Sequence, residues 1–184
     1  MMKQAARVFS RVTAAIVLVA GFASSAAAQA PKIELAGGYA YLHETDLSVP
    51  KGWFASAGGN VNDWFGLVGA VSGHYKSETV SGVTANVKLH TFVFGPKFSS
   101  YKNPAFSPYV QVLFGGARVT GGVSASGVTI STSQNGFDFQ PGGGVDIKAG
   151  NNVAVRVGIN GDYIRSEGET SKEFQFIVGL VYRK

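Results

Sequence analysis

The residues that could do chemistry are few, and most are charges standing alone. Glu34, Lys97, Asp138, Asp146, Lys148, Arg156, Asp162 and Glu173 each sit in apolar or small surroundings. A charge placed so has to pair once it is buried, so the chemistry they point to is a network of ion pairs. Asp146 and Arg156 are the clearest couple. They flank Ala149-Gly150-Asn151-Asn152, a good turn sequence, and fall opposite each other if the chain folds back there. Removing Arg156 alone is then expected to strand a carboxylate.

Nucleophilic and metal chemistry have less to build on. The three histidines, His43, His74 and His90, are followed two places on by Thr45, Lys76 and Phe92, so no His-x-Ser pair exists. Ser72 and His74 share a face in the reverse order, without an acid on their stretch to orient the base. Scattered histidines and the absence of cysteine give no metal-ligand spacing. Gly142-Gly143-Gly144 has no following helix and no Lys-Ser/Thr, so it is not a phosphate loop. The expectation is a protein that is not an enzyme and holds no cofactor or metal.

The elements that must position these charges alternate with period two. Val153, Val155, Val157, Ile159 and Tyr163 lie on one side of a run from Asn152 to Ile164; Asn152, Arg156, Asn160 and Asp162 lie on the other. The last run sets Phe174, Phe176, Val178, Leu180 and Tyr182 against Glu173, Gln175, Ile177, Gly179, Val181 and Arg183. Phe137, Phe139, Val145 and Ile147 oppose Asp138, Gln140, Gly142, Gly144 and Asp146, and Ile33, Leu35, Tyr39 and Tyr41 oppose Lys32, Glu34, Ala36 and Gly38. Weaker runs cover 52–60, 64–75, 86–98 and 106–120, which makes eight strands in all. An even count suits a closed up-and-down barrel with both chain ends on one rim.

The connections differ at the two ends. Short turns are expected at Val61-Asn62-Asp63, at 99–105 and at Ala149–Asn152. The stretches 43–51, 76–85, 121–133 and 165–171 are polar and mostly longer, and read as loops; 121–133 reads as a loop or as a projecting hairpin. Pro96 and Pro108 can sit at a rim. Pro141 falls inside a strand, where a bulge is expected.

Composition orients the two faces. Residues 1–28 hold Lys3, Arg7 and Arg11, three of the sixteen basic residues, and none of the eleven acids, so the other 156 residues carry a net charge of +2. That is no case for nucleic acid. Only about 15% of those 156 are charged, against roughly 25% in a soluble domain. A soluble, ligand-carrying barrel of the lipocalin kind would show an outer face rich in Lys and Glu. Here the polar face is Gly, Ala, Asn, Gln and Ser with single charges, which fits the narrow lumen of an eight-stranded barrel, while Phe, Tyr, Val and Ile face lipid. Aromatic residues at strand ends, Trp53, Trp64, Phe65, Phe98, Tyr101, Tyr163 and Tyr182, suggest interfacial girdles.

The first 28 residues read as a cleaved signal peptide: a basic start, the apolar run Val12 to Phe22 broken only by Thr13, and Ala26-Ala27-Ala28 before Gln29. A run of eleven residues is too short for a spanning helix, which needs about 20. Residues 29–184 then form one domain.

That domain resembles the OmpA-like and opacity-protein-like outer-membrane β-barrels. The resemblance rests on Gly37-Gly38-Tyr39, Asn62-Asp63-Trp64-Phe65-Gly66-Leu67, Phe92-Val93-Phe94-Gly95-Pro96-Lys97, Pro108-Tyr109-Val110-Gln111, Gly115-Gly116-Ala117-Arg118 and Gly179-Leu180-Val181-Tyr182-Arg183. It implies an all-β, eight-stranded antiparallel up-and-down transmembrane β-barrel in the cell outer membrane, with its termini in the periplasm. The implied partners are outer-membrane lipid and lipopolysaccharide, and the barrel-assembly machinery, which reads an alternating last strand usually ending in Phe; this chain ends Tyr182-Arg183-Lys184. A monomer is expected. The expected role is structural or surface-interacting, with a plugged lumen; a narrow small-solute pore, a lipid A-modifying barrel enzyme and the soluble carrier are the alternatives.

Overall fold

The computed structural model describes residues 30–43, 48–49, 51–80, 83–103, 105–125, 128–166 and 169–184. The expected signal peptide lies outside them. Eight long strands run in chain order: β1 (Ile33–His43), β2 (Lys51–Asn60), β3 (Phe65–Val80), β4 (Val83–Ser99), β5 (Phe106–Ala125), β6 (Val128–Lys148), β7 (Val153–Ser166) and β8 (Glu169–Arg183). Each pairs antiparallel with its neighbours in sequence, and β1 pairs with β8 from Glu34↔Arg183 to His43↔Phe174. The barrel is therefore closed. Closure is what lets strands this apolar exist without a sticky edge. A two-residue strand, Ser48–Val49, continues the β1–β2 hairpin outward with its register shifted by one residue.

The alternation seen in the sequence becomes an inside and an outside. Leu35, Leu67, Phe94, Val157, Phe176 and Leu180 are all at least two-fifths exposed, whereas Glu34, Lys97, Asp138, Asp146, Arg156 and Asp162 are almost wholly buried. Apolar groups face out and charges face in, the reverse of a soluble barrel and the arrangement that lipid as solvent demands.

The two ends differ as expected, but not in the expected way. At one end lie the termini and the short turns. Ile33 and Lys184 exchange backbone hydrogen bonds at 2.9 and 3.0 Å, and Asn62 Oδ1 accepts from the backbone N–H groups of Trp64 and Phe65 at 3.0 and 2.8 Å to close the first turn. At the other end, the stretches read as loops near 76–85 and 165–171 are strand wherever they are described, and 121–133 takes the second of its two readings, a projecting hairpin. β3 and β4 pair as far as Val80↔Val83, β5 and β6 as far as Ala125↔Val128, and β7 and β8 as far as Ser166↔Glu169. Their Ser and Thr residues show no apolar–polar alternation that would mark a half-buried strand, but cross-strand hydroxyl pairs hold them: Thr79 with Thr84 at 2.9 Å, Thr120 with Ser133 at 3.1 Å and Ser124 with Thr129 at 2.9 Å. Because β6 meets β7 only from Phe137↔Arg165 onward, strands β3 to β6 project past the rest as a four-stranded sheet.

Pro141 produces no bulge. The β6–β7 register is the same at Phe139↔Tyr163 and Gly142↔Asn160, on either side of it, and Pro141 pairs with Val112 on the other flank. A missing N–H removes one rung of the ladder without adding a residue. Tyr101 corrects another expectation. It is only 5% exposed and turns into the barrel end instead of joining an outer girdle. Trp64, Phe65 and Phe98 do form an outer cluster, with ring centroids 5.5 to 5.9 Å apart.

Candidate functional site: the charged lumen

Five charged side chains from five strands meet inside the turn end of the barrel. Arg156 on β7 donates through Nε and Nη2 to both oxygens of Asp146 on β6, at 2.7 and 2.8 Å. The two residues are direct cross-strand partners, as the turn between them requires. Arg183 on β8 donates to Asp146 Oδ2 at 2.5 Å and to Glu34 Oε1 at 2.9 Å. Lys97 on β4 reaches across to Glu34 Oε2 on β1. Arg156 Nη2 lies 3.8 Å from the same Glu34 oxygen. Two carboxylates thus bridge three cations, and the bidentate Arg–Asp fork fixes geometry as well as charge.

Aromatic rings complete the cluster. The Tyr109 ring has Arg156 Cζ 4.5 Å and Lys97 Nζ 5.1 Å from its centroid; Arg183 Cζ lies 5.4 Å from that of Tyr101. Cations this poorly hydrated gain from the ring faces. Tyr101, on the turn between β4 and β5, donates to Glu34 Oε1 at 3.2 Å and accepts from Asn60 Nδ2 at 3.1 Å. Burial, with the Glu34 charge beside it, pushes its phenol up to about 12, so it stays a neutral donor.

Tyr109 fits only because two facing residues are glycine. A Cβ at Gly158 would lie 2.6 Å from the Tyr109 hydroxyl, and one at Gly144 would lie 2.9 Å from it. Gly158→Ala is expected to destabilise the folded barrel by about 1–3 kcal/mol through this overpacking. Tyr109→Phe, which removes the hydroxyl, is expected to recover part of the loss in the double variant. Urea titration of the refolded barrel measures both, and additive losses would show that the glycine does not make room for the tyrosine.

A second layer crosses the lumen beside the first and is built of amides. Gln111 on β5 donates to Asn160 Oδ1 on β7 at 3.2 Å, and Asn160 donates to Gln175 Oε1 on β8 at 2.8 Å. The Gln175 amide nitrogen lies 3.0 Å from His74 Nε2 on β3. Ser72 bonds Thr91 at 2.8 Å, so the serine and histidine that share a face serve different partners and form no nucleophile–base pair. Around these groups lies a cavity of about 20 Å³, room for roughly one water. Towards the projecting hairpins Leu42, Leu89, Ala117 and Ile164 pack together across the lumen.

Of the eight charges singled out in the sequence, Glu34, Lys97, Asp146 and Arg156 share the network. Asp138 and Asp162 are fully buried on β6 and β7 and are joined to that network by no hydrogen bond; Asp162 accepts from Gln140 instead. Glu173 is half-buried on the inward face of β8, opposite Asp162. Lys148 corrects the expectation: it is exposed at the rim, because its strand ends there. Arg183, Tyr101 and Tyr109 were missed as members. Arg183 shares the inward parity of Glu173 and Gln175, a signal that could have found it; nothing local marks the two tyrosines.

Comparison with known proteins agrees with the architecture. The family model described as "Outer membrane protein beta-barrel domain" matches residues 13–183. A comparison with curated proteins found no match. Among solved structures, Ail, the attachment invasion locus protein of Yersinia pestis, superposes with a TM-score of 0.62 at 18% identity, over 84% of this chain and 99% of that one. Neisserial surface protein A gives 0.57 at 16% identity, over 83% and 96%. The N-terminal β-barrel domain of Pseudomonas aeruginosa OprF gives 0.52 at 14%, over 85% and 100%. At such identities the likeness is one of fold.

Proposed function

Because the chain belongs to the outer-membrane protein β-barrel family, we propose that it is a structural and surface-interacting barrel. Its lumen is plugged by its own side chains, its termini lie in the periplasm, and the sheet of β3–β6 stands outside the cell. The observation that carries this reading is the double closure of the lumen. An ionic layer anchored by the Asp146–Arg156 fork and an amide layer from Gln111 to His74 fill it from wall to wall. A buried ion-pair network of this kind gives a water path no continuous passage, and the polar groups of the outer sheet are left for contact with other molecules. In this reading the protein acts as a monomer, has no catalytic task, and reaches the membrane through the barrel-assembly machinery acting on β8.

Two measurements test it. An epitope inserted between residues 126 and 127 is expected to be labelled on intact cells, and one added after Lys184 only after permeabilisation. Labelling of both, or of the second alone, overturns the orientation. In planar bilayers the wild-type barrel is expected to show no steady conductance; a stable conductance would favour the narrow pore.

A further inference from the structure

The ionic layer does not balance. Glu34 and Asp146 carry two negative charges, and Lys97, Arg156 and Arg183 carry three positive ones. The tyrosines beside them are neutral at physiological pH. One positive charge is left over inside the barrel, and a buried charge without a counter-charge is costly. The surplus is not shared evenly. The Lys97 and Arg156 side chains are each 4% exposed, while that of Arg183 is 15% exposed. Arg183 spends Nε on Glu34 and Nη2 on Asp146, but Nη1 reaches the Ser107 hydroxyl at the long distance of 3.4 Å. Arg183 and Ser107 both line a cavity of about 250 Å³ at the turn-end mouth of the barrel. Lys148, Lys184 and the turn residues Asn151 and Asn152 line it as well, and all four are exposed. Among the described residues no acid lines it.

We propose that this mouth is a binding site for the carboxylate of a short peptide, held by Arg183 and the two lysines. A guanidinium nitrogen backed by ammonium groups is a donor set for a planar anion. The asparagines select a peptide over a bare phosphate. Asn152 donates its amide N–H to the Arg183 carbonyl at 2.8 Å, so it has its oxygen to offer to a peptide N–H, which a phosphate lacks. Size agrees, since the cavity falls below the roughly 300–1,000 Å³ of drug-sized sites and suits about one or two residues. Lipid headgroups surround the outer wall of a barrel, whereas Arg183 and Ser107 take inward parity. On the periplasmic side, the stem peptides of the cell wall and acidic protein segments both carry such carboxylates. That choice of sources rests on the orientation proposed above; the chemistry of the mouth does not.

The test uses the full refolded barrel in a non-ionic detergent, with its backbone amides and arginine side chains followed by NMR. The probe is N-acetyl-alanyl-glutamate, which has two carboxylates. Its diamide, inorganic phosphate and micelles doped with phosphatidylglycerol are the comparisons. The dipeptide is expected to shift the Asn151, Asn152 and Lys184 amides saturably, and the Arg183 side-chain N–H signals along the same curve. Because Arg183 also holds Glu34 and Asp146, that signal reads its part without a variant that disrupts the layer. K148S and K184S are each expected to weaken binding about threefold, and the double variant about tenfold, while K51S/K172S at the hairpin end binds as wild type. A soluble cell-wall muropeptide and an acidic protein peptide tell the sources apart by which binds more tightly, and binding by neither overturns the site. So does the absence of saturable shifts, an equal response to the diamide, an Arg183 signal that stays still, tighter binding of phosphate or of the anionic lipid, or full binding by K148S/K184S. The measurement in detergent does not depend on orientation. An inverted barrel still binds the dipeptide here, so failure of the site and failure of the topology on intact cells stay distinct.

Discussion

Asp146→Ala is expected to be the most damaging single change in the lumen, costing about 3–5 kcal/mol of folded-state stability. Wild-type charges in the ionic layer are two carboxylates against three cations. Without Asp146, only Glu34 remains to face Lys97, Arg156 and Arg183, all largely buried. The structure also changes which partner matters more. From sequence, loss of Arg156 should strand Asp146. In the folded barrel Arg183 holds the same carboxylate at 2.5 Å, so Arg156→Ala leaves two anions with two cations and is expected to cost less than Asp146→Ala. Removing both is expected to cost less than the sum of the two losses, because the second deletion removes a cation that the first left without its fork partner. Reversible urea unfolding in lipid vesicles, with a common denaturant slope for all variants, gives the four free energies. Strict additivity would mean that the fork contributes nothing as a pair.

The outer face yields the second large effect. Val157, 43% exposed, lies on β7 between the level of Tyr182, which pairs with Val153, and that of Tyr163, and is flanked by Val145 on β6 and Val178 on β8. Three apolar side chains abreast on the outward face, between two aromatic levels, mark the depth at which lipid excludes water. Val157→Arg is expected to cost about 2–4 kcal/mol there, with the loss shrinking for the same substitution at Val153, near the turn end. Val157→Leu is expected to change stability by less than about 1 kcal/mol, since it alters shape without introducing charge. The same urea titration decides it. A barrel indifferent to Val157→Arg would mean that this face meets water.

The same strand shows what a sequence can carry. Alternation along β7 is local: each side chain's face follows from its place in the pleat, and hydrophobicity assigns one face to lipid and the other to the lumen. That suffices for strand count, closure and the burial of Glu34, Asp146, Arg156 and Asp162. It also suffices for Asp146 opposite Arg156, because a short turn fixes the register of its own hairpin. It did not suffice where strand continuation depends on a neighbour. The Ser- and Thr-rich residues 76–80 and 83–85 are strand because a facing hydroxyl completes them; at 121–133 the sequence left loop and hairpin open, and the Ser124–Thr129 pair stands in the hairpin; Pro141 keeps register because both adjoining strands hold it.

By itself, then, the sequence determined an all-β barrel with apolar groups outside, charges inside and short turns beside the termini, since each of these follows from period-two patterning and turn chemistry over a few residues. Only the tertiary structure decided which charges meet. Glu34 and Arg183 lie 149 positions apart, and Glu34 and Lys97 lie 63 apart. Their contacts exist because β1 closes on β8 with one particular stagger, and because side chains long enough to span the lumen arrive at one height. Tyr101 enters from a turn, and Tyr109 occupies space that glycines on neighbouring strands leave open. Stagger, lumen width and side-chain reach are properties of the closed ring, and no single strand contains them.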